Sequence, residues 1–202
     1  MNVARARDAL ARAAQSARAH GDYAAGRVNV PPPQAKRRQL LRLFRERGHS
    51  VFVESGTYRG DTVAFFLGHA DRIVSVEVEP SLQAAAERRF ADHGAVEILL
   101  GDALDVIPPL LAREPASTLL FLDGHCSGGV TGTGREHEPA ASILVALARR
   151  EQRSPLTIVV DDLRLFGTEP EFPTLDALTA SARSAFPGAR IHAGLDALII
   201  EA

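Results

Sequence analysis

Cysteine occurs once in this chain of 202 residues, so an internal disulfide framework is excluded. A single thiol suits a reducing compartment, and the expected location is cytoplasmic. No apolar run approaches the length needed to span a bilayer. The N-terminus lacks the apolar core of a secretory signal, and Asp8 and Asp22 weaken a transit-peptide reading of its Ala/Arg-rich start. Net charge is also scarce, at −2, which leaves no general electrostatic case for a nucleic-acid or membrane partner. There is no internal repeat and, apart from the alanine bias near the start, no low-complexity tract. What remains is 46% hydrophobic and 24% charged residues, ordinary globular values. The length suits one α/β domain with a sizeable core and is short for two.

Residues 3–19 carry Val3, Ala6, Leu10, Ala13, Ala14 and Ala17 near helical spacing, which predicts a weak amphipathic helix ending before Gly21. A solvated appendage, a lid over a pocket and a dimer contact are its open roles. Gly26 and Pro31–Pro32–Pro33 mark a linker, so 1–33 is assigned as an N-terminal helical extension and linker, and 34–202 as the domain. The helix at 34–47 has Leu40, Leu41 and Phe44 as its buried stripe, Arg37, Arg38, Arg42 and Arg45 largely outside it, and Gly48 as its stop. Strands at 51–54, 72–78, 95–100, 118–122, 156–160, 189–193 and 196–201 then alternate with helices at 60–69, 80–92, 103–112, 137–150 and 173–186. Pro108–Pro109 is expected to bend or restart the helix at 103–112.

Strands of near-continuous Val, Ile and Leu are buried on both faces, which requires a mostly parallel sheet covered by helices. Only about Gly194–Leu195 separates the last two strands, too little for a parallel crossover, so the final strand is reversed.

The stretch VFVESGTYRGDT, residues 51–62, reads as a buried strand entering a glycine-bearing turn that opens a helix. Such a turn is where an α/β protein holds a nucleotide-like ligand. Glu54 at the strand's end argues against a phosphate cradle and for a cationic or hydroxylated ligand. Acidic residues recur at the strand ends as Glu54, Glu77, Asp102, Asp123 and Asp161–Asp162, which sets them along one rim of the fold. Glu77 lies 21 residues after Gly56, the distance at which an acid reaches a ribose hydroxyl. The dinucleotide fingerprint G-x-G-x-x-G is missing, because the turn reads Gly56-Thr-Tyr-Arg-Gly60. A ligand with a ribose, an adenine and a cation fits, which describes S-adenosylmethionine (SAM).

On these motifs the chain resembles the class I SAM-dependent methyltransferases over roughly residues 50–201. The resemblance implies a Rossmann-like α/β fold with a seven-stranded, mostly parallel sheet, a reversed final strand and helices on both faces, here with an N-terminal helical extension. It implies that Glu54, Gly56, Thr57, Tyr58 and Gly60 hold the amino-acid part of SAM, with Thr62 in the same cofactor-binding set. Glu77 would hold the ribose hydroxyls, Asp102 and Ala103 would lie by the adenine, and Asp123 would border the cofactor.

Within that family, Asp123 with Asp161–Asp162 resembles the metal-dependent O-methyltransferases acting on macrolide sugars (the macrocin O-methyltransferase-like group). This implies a divalent cation, Mg²⁺ for an all-oxygen set, held by Asp123, Asp161 and Asp162. The cation would lower the pKa of an attacking hydroxyl on a small-molecule acceptor. That group tends to have Asp-Gly-Asp where this chain reads Asp123-Gly124-His125. His125 is thus a candidate general base beside Asp123, or a metal ligand, or a loop cap.

The glycine-rich loop 125–135 is expected to shape the substrate site, with Cys126 an incidental thiol. His137 is expected at a helix start, and Arg164 is open between an anionic substrate group and a surface role. The competing functions are a metal-independent methyltransferase with His125 as base, an NAD-dependent reductase and a non-catalytic nucleotide-binding module. Self-association as a homo-oligomer is left open.

Overall fold

Hydrophobic strand runs separated by helices of amphipathic pattern can bury themselves only by stacking layers, and the computed structural model describes that stack over residues 17–19, 21–26, 28–123, 134–151 and 154–202. In chain order the elements are α1 (Pro33–Glu46), β1 (Val51–Ser55), α2 (Asp61–Phe66), β2 (Arg72–Glu77), α3 (Pro80–Phe90), β3 (Val96–Leu100) and α4 (Ala103–Arg113). They continue with β4 (Thr118–Leu122), α5 (Ala140–Leu147), β5 (Leu156–Val160), a 3₁₀ turn (Leu163–Leu165), α6 (Leu175–Ala185), β6 (Arg190–Gly194) and β7 (Ala197–Glu201). The seven strands lie in the order β3-β2-β1-β4-β5-β7-β6. β1 to β5 pair in parallel, and β7 runs antiparallel to both β5 and β6. The reversed final strand is as expected. The order reverses between β1 and β4, which makes their carboxyl ends the switch point where ligands bind.

Alternation along each strand divides the core in two. Val51, Val53, Val76 and Leu122 face one layer, with Ile107 of α4, Leu144 of α5 and Leu178 of α6. Phe52, Ile73, Phe121 and Val159 face the other, with Leu40 and Phe44 of α1, Phe66 of α2 and Phe90 of α3. In that second layer Phe52 stacks on Phe66 at 3.8 Å between ring centroids. The register sets Glu54 opposite Phe121, and Phe121 opposite Val159. Asp123 and Asp161 each stand two residues beyond those partners.

Several boundaries differ from the sequence expectation. Residues 21–24 are helical, past the predicted stop at Gly21. α2 ends at Phe66 rather than 69, because Leu67 leaves helical geometry (φ −54°, ψ 128°) and Gly68 turns left-handed at φ 74°. α4 runs unbroken through Pro108 and Pro109, with Ile107 and Leu111 buried along it. Packing of that apolar face outweighs the hydrogen bonds the two prolines forgo. α5 begins at Ala140, so His137 lies outside it, with Nδ1 3.1 Å from the Glu171 carboxylate. No helix among the described residues is long and apolar enough to cross a membrane.

Candidate active site at the carboxyl ends of the strands

The turn after β1 is built from left-handed backbone: Gly56 has φ 83°, Tyr58 φ 47° and Gly60 φ 72°. At Gly60 a side chain is excluded twice over, since a Cβ would also lie 2.6 Å from Phe90 Cε2. Glu77 holds the turn. Its carboxylate accepts from the backbone N–H of Tyr58 at 2.8 Å and from that of Glu79 at 3.0 Å. Each of those oxygens keeps a further acceptor position.

Glu54 is only 2% exposed and accepts from the Ser75 hydroxyl at 2.7 Å; Ser75 in turn lies 2.6 Å from the Thr57 hydroxyl. Burial raises the Glu54 carboxyl from 4.5 to about 8, against the Ser75 hydrogen bond and the charge of Arg37, which lower it. Ser55, next in the chain, is 2% exposed and its hydroxyl has no hydrogen-bond partner among the described residues. At the end of β3, Asp102 caps α4 through the Leu104 N–H at 2.8 Å and accepts from the Arg135 N–H at 2.7 Å. A Cβ at Gly134 would meet that carboxylate at 2.7 Å, so the chain passes Asp102 closely there. Ala103 opens α4 behind it.

Beyond β4 and β5, Asp123, Asp161 and Asp162 offer carboxylate oxygens all within 4.8 Å of one another. Strand alternation would send the adjacent Asp161 and Asp162 to opposite faces. Asp162 escapes this by a left-handed backbone (φ 53°, ψ 41°), a conformation aspartate tolerates better than most residues. Both carboxylates therefore meet one partner, the Lys36 ammonium of α1, at 2.8 Å for Asp161 and 2.7 Å for Asp162. Asp162 also accepts from Arg164 at 2.6 Å, and Arg164 reaches on to Asp196 in the β6–β7 turn. Burial pushes Asp162 up, but the hydrogen bonds from Lys36 and Arg164 outweigh it and hold the group below its ordinary value. Burial keeps Asp161 above its ordinary value in spite of Lys36. Asp123 lies well above the usual carboxylate range, through burial first and then the charges of Asp161 and Asp162. Lys36 remains an ammonium: burial would lower it, but Asp161 and Asp162 raise it above 10.5.

These groups open on a cavity of about 390 Å³ whose walls include Pro31, Lys36, Arg37, Thr62, Phe121 and Asp123.

No protein-family model matches the chain, and no curated protein matches it. Solved structures do match. The O-methyltransferase TomG from Streptomyces achromogenes, involved in tomaymycin synthesis and solved in complex with SAM, is 22% identical with a TM-score of 0.56, over 93% of this chain and 87% of that one. The Podospora anserina methyltransferase PaMTH1, bound to S-adenosylhomocysteine (SAH), is 16% identical with a TM-score of 0.58, over 100% and 96%. An O-methyltransferase from Bacillus cereus, also with SAH, is 16% identical with a TM-score of 0.59, over 90% and 86%. The fold is the Rossmann-like methyltransferase fold.

On this methyltransferase fold most of the sequence-predicted residues fall into two groups, with Thr62 on the cavity wall. Glu54, Gly56, Thr57, Tyr58, Gly60 and Glu77 form one hydrogen-bonded turn, and Asp123, Asp161 and Asp162 form one acidic cluster. Asp102 and Ala103 stand on a neighbouring strand end, joined to neither by a described side-chain hydrogen bond. His125 and Cys126 lie outside the described residues, as does most of the 125–135 loop. Arg164, left open between a substrate contact and a surface role, braces Asp162 against Asp196.

Sequence reasoning missed Lys36 and Glu138. Lys36 had a signal: it is the one lysine among 23 basic residues and lies four before Leu40, on the buried stripe of α1. Glu138 had none. It sits half-buried, accepts from the Ala140 N–H at 3.0 Å, and burial raises it to about 7.

Proposed function

We propose that this protein is a SAM-dependent methyltransferase that transfers a methyl group to a hydroxyl of a small molecule. The observation that carries the reading is the buried Glu54 carboxylate, on a glycine turn at the switch point, close enough for its charge to act on Asp123, which with Asp161 and Asp162 lines the cavity. The residues fit SAM. Glu54 would take the cofactor's ammonium, the orphaned Ser55 hydroxyl and the open positions on Glu77 would take further donors and acceptors, and Gly56 allows close backbone approach. When bound, SAM supplies an electrophilic methyl group on a sulfonium. The cavity of about 390 Å³ is of small-molecule size.

Asp123 is the proton acceptor in this proposal. It lines the cavity that an acceptor hydroxyl would enter, and burial with the charges of Asp161 and Asp162 raises its affinity for a proton. Asp123 would take the hydroxyl proton of the acceptor oxygen as the methyl leaves SAM, its carbon–sulfur bond breaking and SAH departing, with most of the rate coming from positioning. His125 stays an alternative base on sequence grounds.

A divalent cation on Asp123, Asp161 and Asp162 is the finer expectation from the sequence. An all-oxygen donor set suits Mg²⁺. Two of its three members, however, already hold the Lys36 ammonium, so the set fits a divalent ion only once Lys36 has withdrawn.

Thermal shift with SAM, SAH and NAD tests the cofactor assignment. Stabilisation by SAM and SAH is expected, and stabilisation by NAD alone would establish the reductase reading. Release of SAH during incubation with sugars, phenols and hydroxylated metabolites then separates an enzyme from a binding module.

A further inference from the structure

Lysine occurs once in this chain, against 22 arginines, and that lysine places its ammonium between Asp161 and Asp162. Helix formation in α1 does not require it, since the helix fills its other basic positions with Arg37, Arg38, Arg42 and Arg45. Lys36 lies instead on the docking stripe with Leu40, Leu43 and Phe44, and its side chain is 15% exposed. α1 is held in register there by Gln39, whose amide donates to the Gly194 carbonyl at 3.0 Å.

Lysine and arginine are not equivalent at such a place. An ammonium is a compact point charge with three donors and fits between two carboxylates, whereas a guanidinium is a broad planar fork. The left-handed backbone at Asp162 turns its carboxylate to the same ammonium as Asp161. Arg164 holds Asp162 from a second side. A dication entering this cluster would meet a fixed positive charge at contact distance, where like charges repel strongly.

We propose that Lys36 is the built-in cation of this site. Its ammonium takes the place of a divalent metal ion on Asp161 and Asp162, and methyl transfer proceeds without such an ion. Lys36 acts as a positioning residue: it fixes the two carboxylates, and its third N–H, which has no acceptor among the described residues, faces the cavity it lines. The reaction named here rests on the methyltransferase reading, while the cation assignment rests on the geometry alone.

The sole lysine makes the unaltered protein its own probe. The full chain is treated with an acetylating N-hydroxysuccinimide ester, and modification at Lys36 is followed by mass spectrometry with and without MgCl₂ or MnCl₂. Slow acetylation, unchanged by either metal, is expected. Acceleration by metal would mean that the ion enters the cluster and frees Lys36, and would overturn the proposal.

Mn²⁺ binding by electron paramagnetic resonance is the second measurement, on the wild type, K36M and K36M/D161N. K36M is expected to bind Mn²⁺ at least about tenfold more tightly than wild type, as removal of a like charge at contact predicts. The double variant is expected to lose that site. Equal Mn²⁺ affinity in wild type and K36M would overturn the assignment. SAH thermal shift on the same samples keeps the two ideas apart. Metal-accelerated acetylation with SAH binding intact refutes the built-in cation alone, whereas metal-indifferent Lys36 without SAH binding refutes the methyltransferase reading alone.

Discussion

Ser75 donates its hydroxyl hydrogen to the Glu54 carboxylate across 2.7 Å, in a site where Glu54 is 2% exposed. That single hydrogen bond does not offset burial, and Glu54 titrates near 8 instead of 4.5. The consequences reach both stability and cofactor affinity.

Because the folded value is raised, the Glu54 contribution to stability is whole below about pH 4.5 and is lost as pH rises through about 8. Across that window the ligand-free protein should lose roughly 1.4 kcal/mol per pH unit from this group. Urea titrations of wild type and E54Q would show it as a slope present in the first and absent in the second. A cofactor ammonium favours the carboxylate, so SAH should bind more tightly at pH 8 than at pH 6. Calorimetry in buffers of different ionisation enthalpy should register proton release on binding at pH 7, and E54Q should abolish it.

His49 should govern the acid side. Its Nδ1 lies 2.7 Å from the Ser117 hydroxyl and its Nε2 2.8 Å from that of Thr157, in a buried pocket. Burial, with the charge of Arg47, lowers its pKa from 6.5 to about 4. Its contribution is therefore present above about pH 6.5 and disappears as pH falls through about 4. The total at stake is about 3 kcal/mol. H49Q should flatten the stability curve between these limits, as read by denaturant midpoints.

Gly60→Ala should destabilise the protein by about 2–4 kcal/mol, from the left-handed backbone together with the contact on Phe90. G60A/F90L should recover the steric part and leave the backbone part, because the substitution at 90 cannot change φ at 60. Chemical denaturation of the three variants checks the division.

Asp123→Asn should lower kcat by about 10²–10⁴-fold, the usual range for removing a general base, with SAH binding retained. Equal loss of kcat and SAH affinity would assign Asp123 to cofactor binding instead of proton transfer.

Much of the architecture was legible in the sequence because strand burial is a local property. Val51-Phe-Val, Leu119-Leu-Phe and Thr157-Ile-Val-Val can be nothing but two-sided buried strands, and the short link expected at Gly194–Leu195, which the structure sets one residue later at Leu195–Asp196, forces a reversal. The site was legible where strand ends coincide with acids, since parallel pairing brings the carboxyl ends of β1 to β5 to one rim. Helix ends were less so: Leu67 and Gly68 stop α2 early for reasons of backbone geometry that their side chains do not announce. The continuity of α4 through two prolines was hidden for the opposite reason, because packing overrode a local signal.

By itself the sequence determined the α/β alternation, the direction of the last strand, the glycine turn and the presence of acids at five strand ends. All of these follow from residue type and spacing within a few positions of one another. Only the tertiary structure decided what those acids face. Lys36 stands 125 residues from Asp161, and nothing in the intervening chain sets the angle at which α1 docks. That angle comes from Leu40, Leu43 and Phe44 finding their places against Phe66 and the sheet, and from Gln39 reaching Gly194. The left-handed turn of Asp162 is likewise a product of its surroundings, with Lys36, Arg164 and Asp196 holding a conformation that local preference alone would not select.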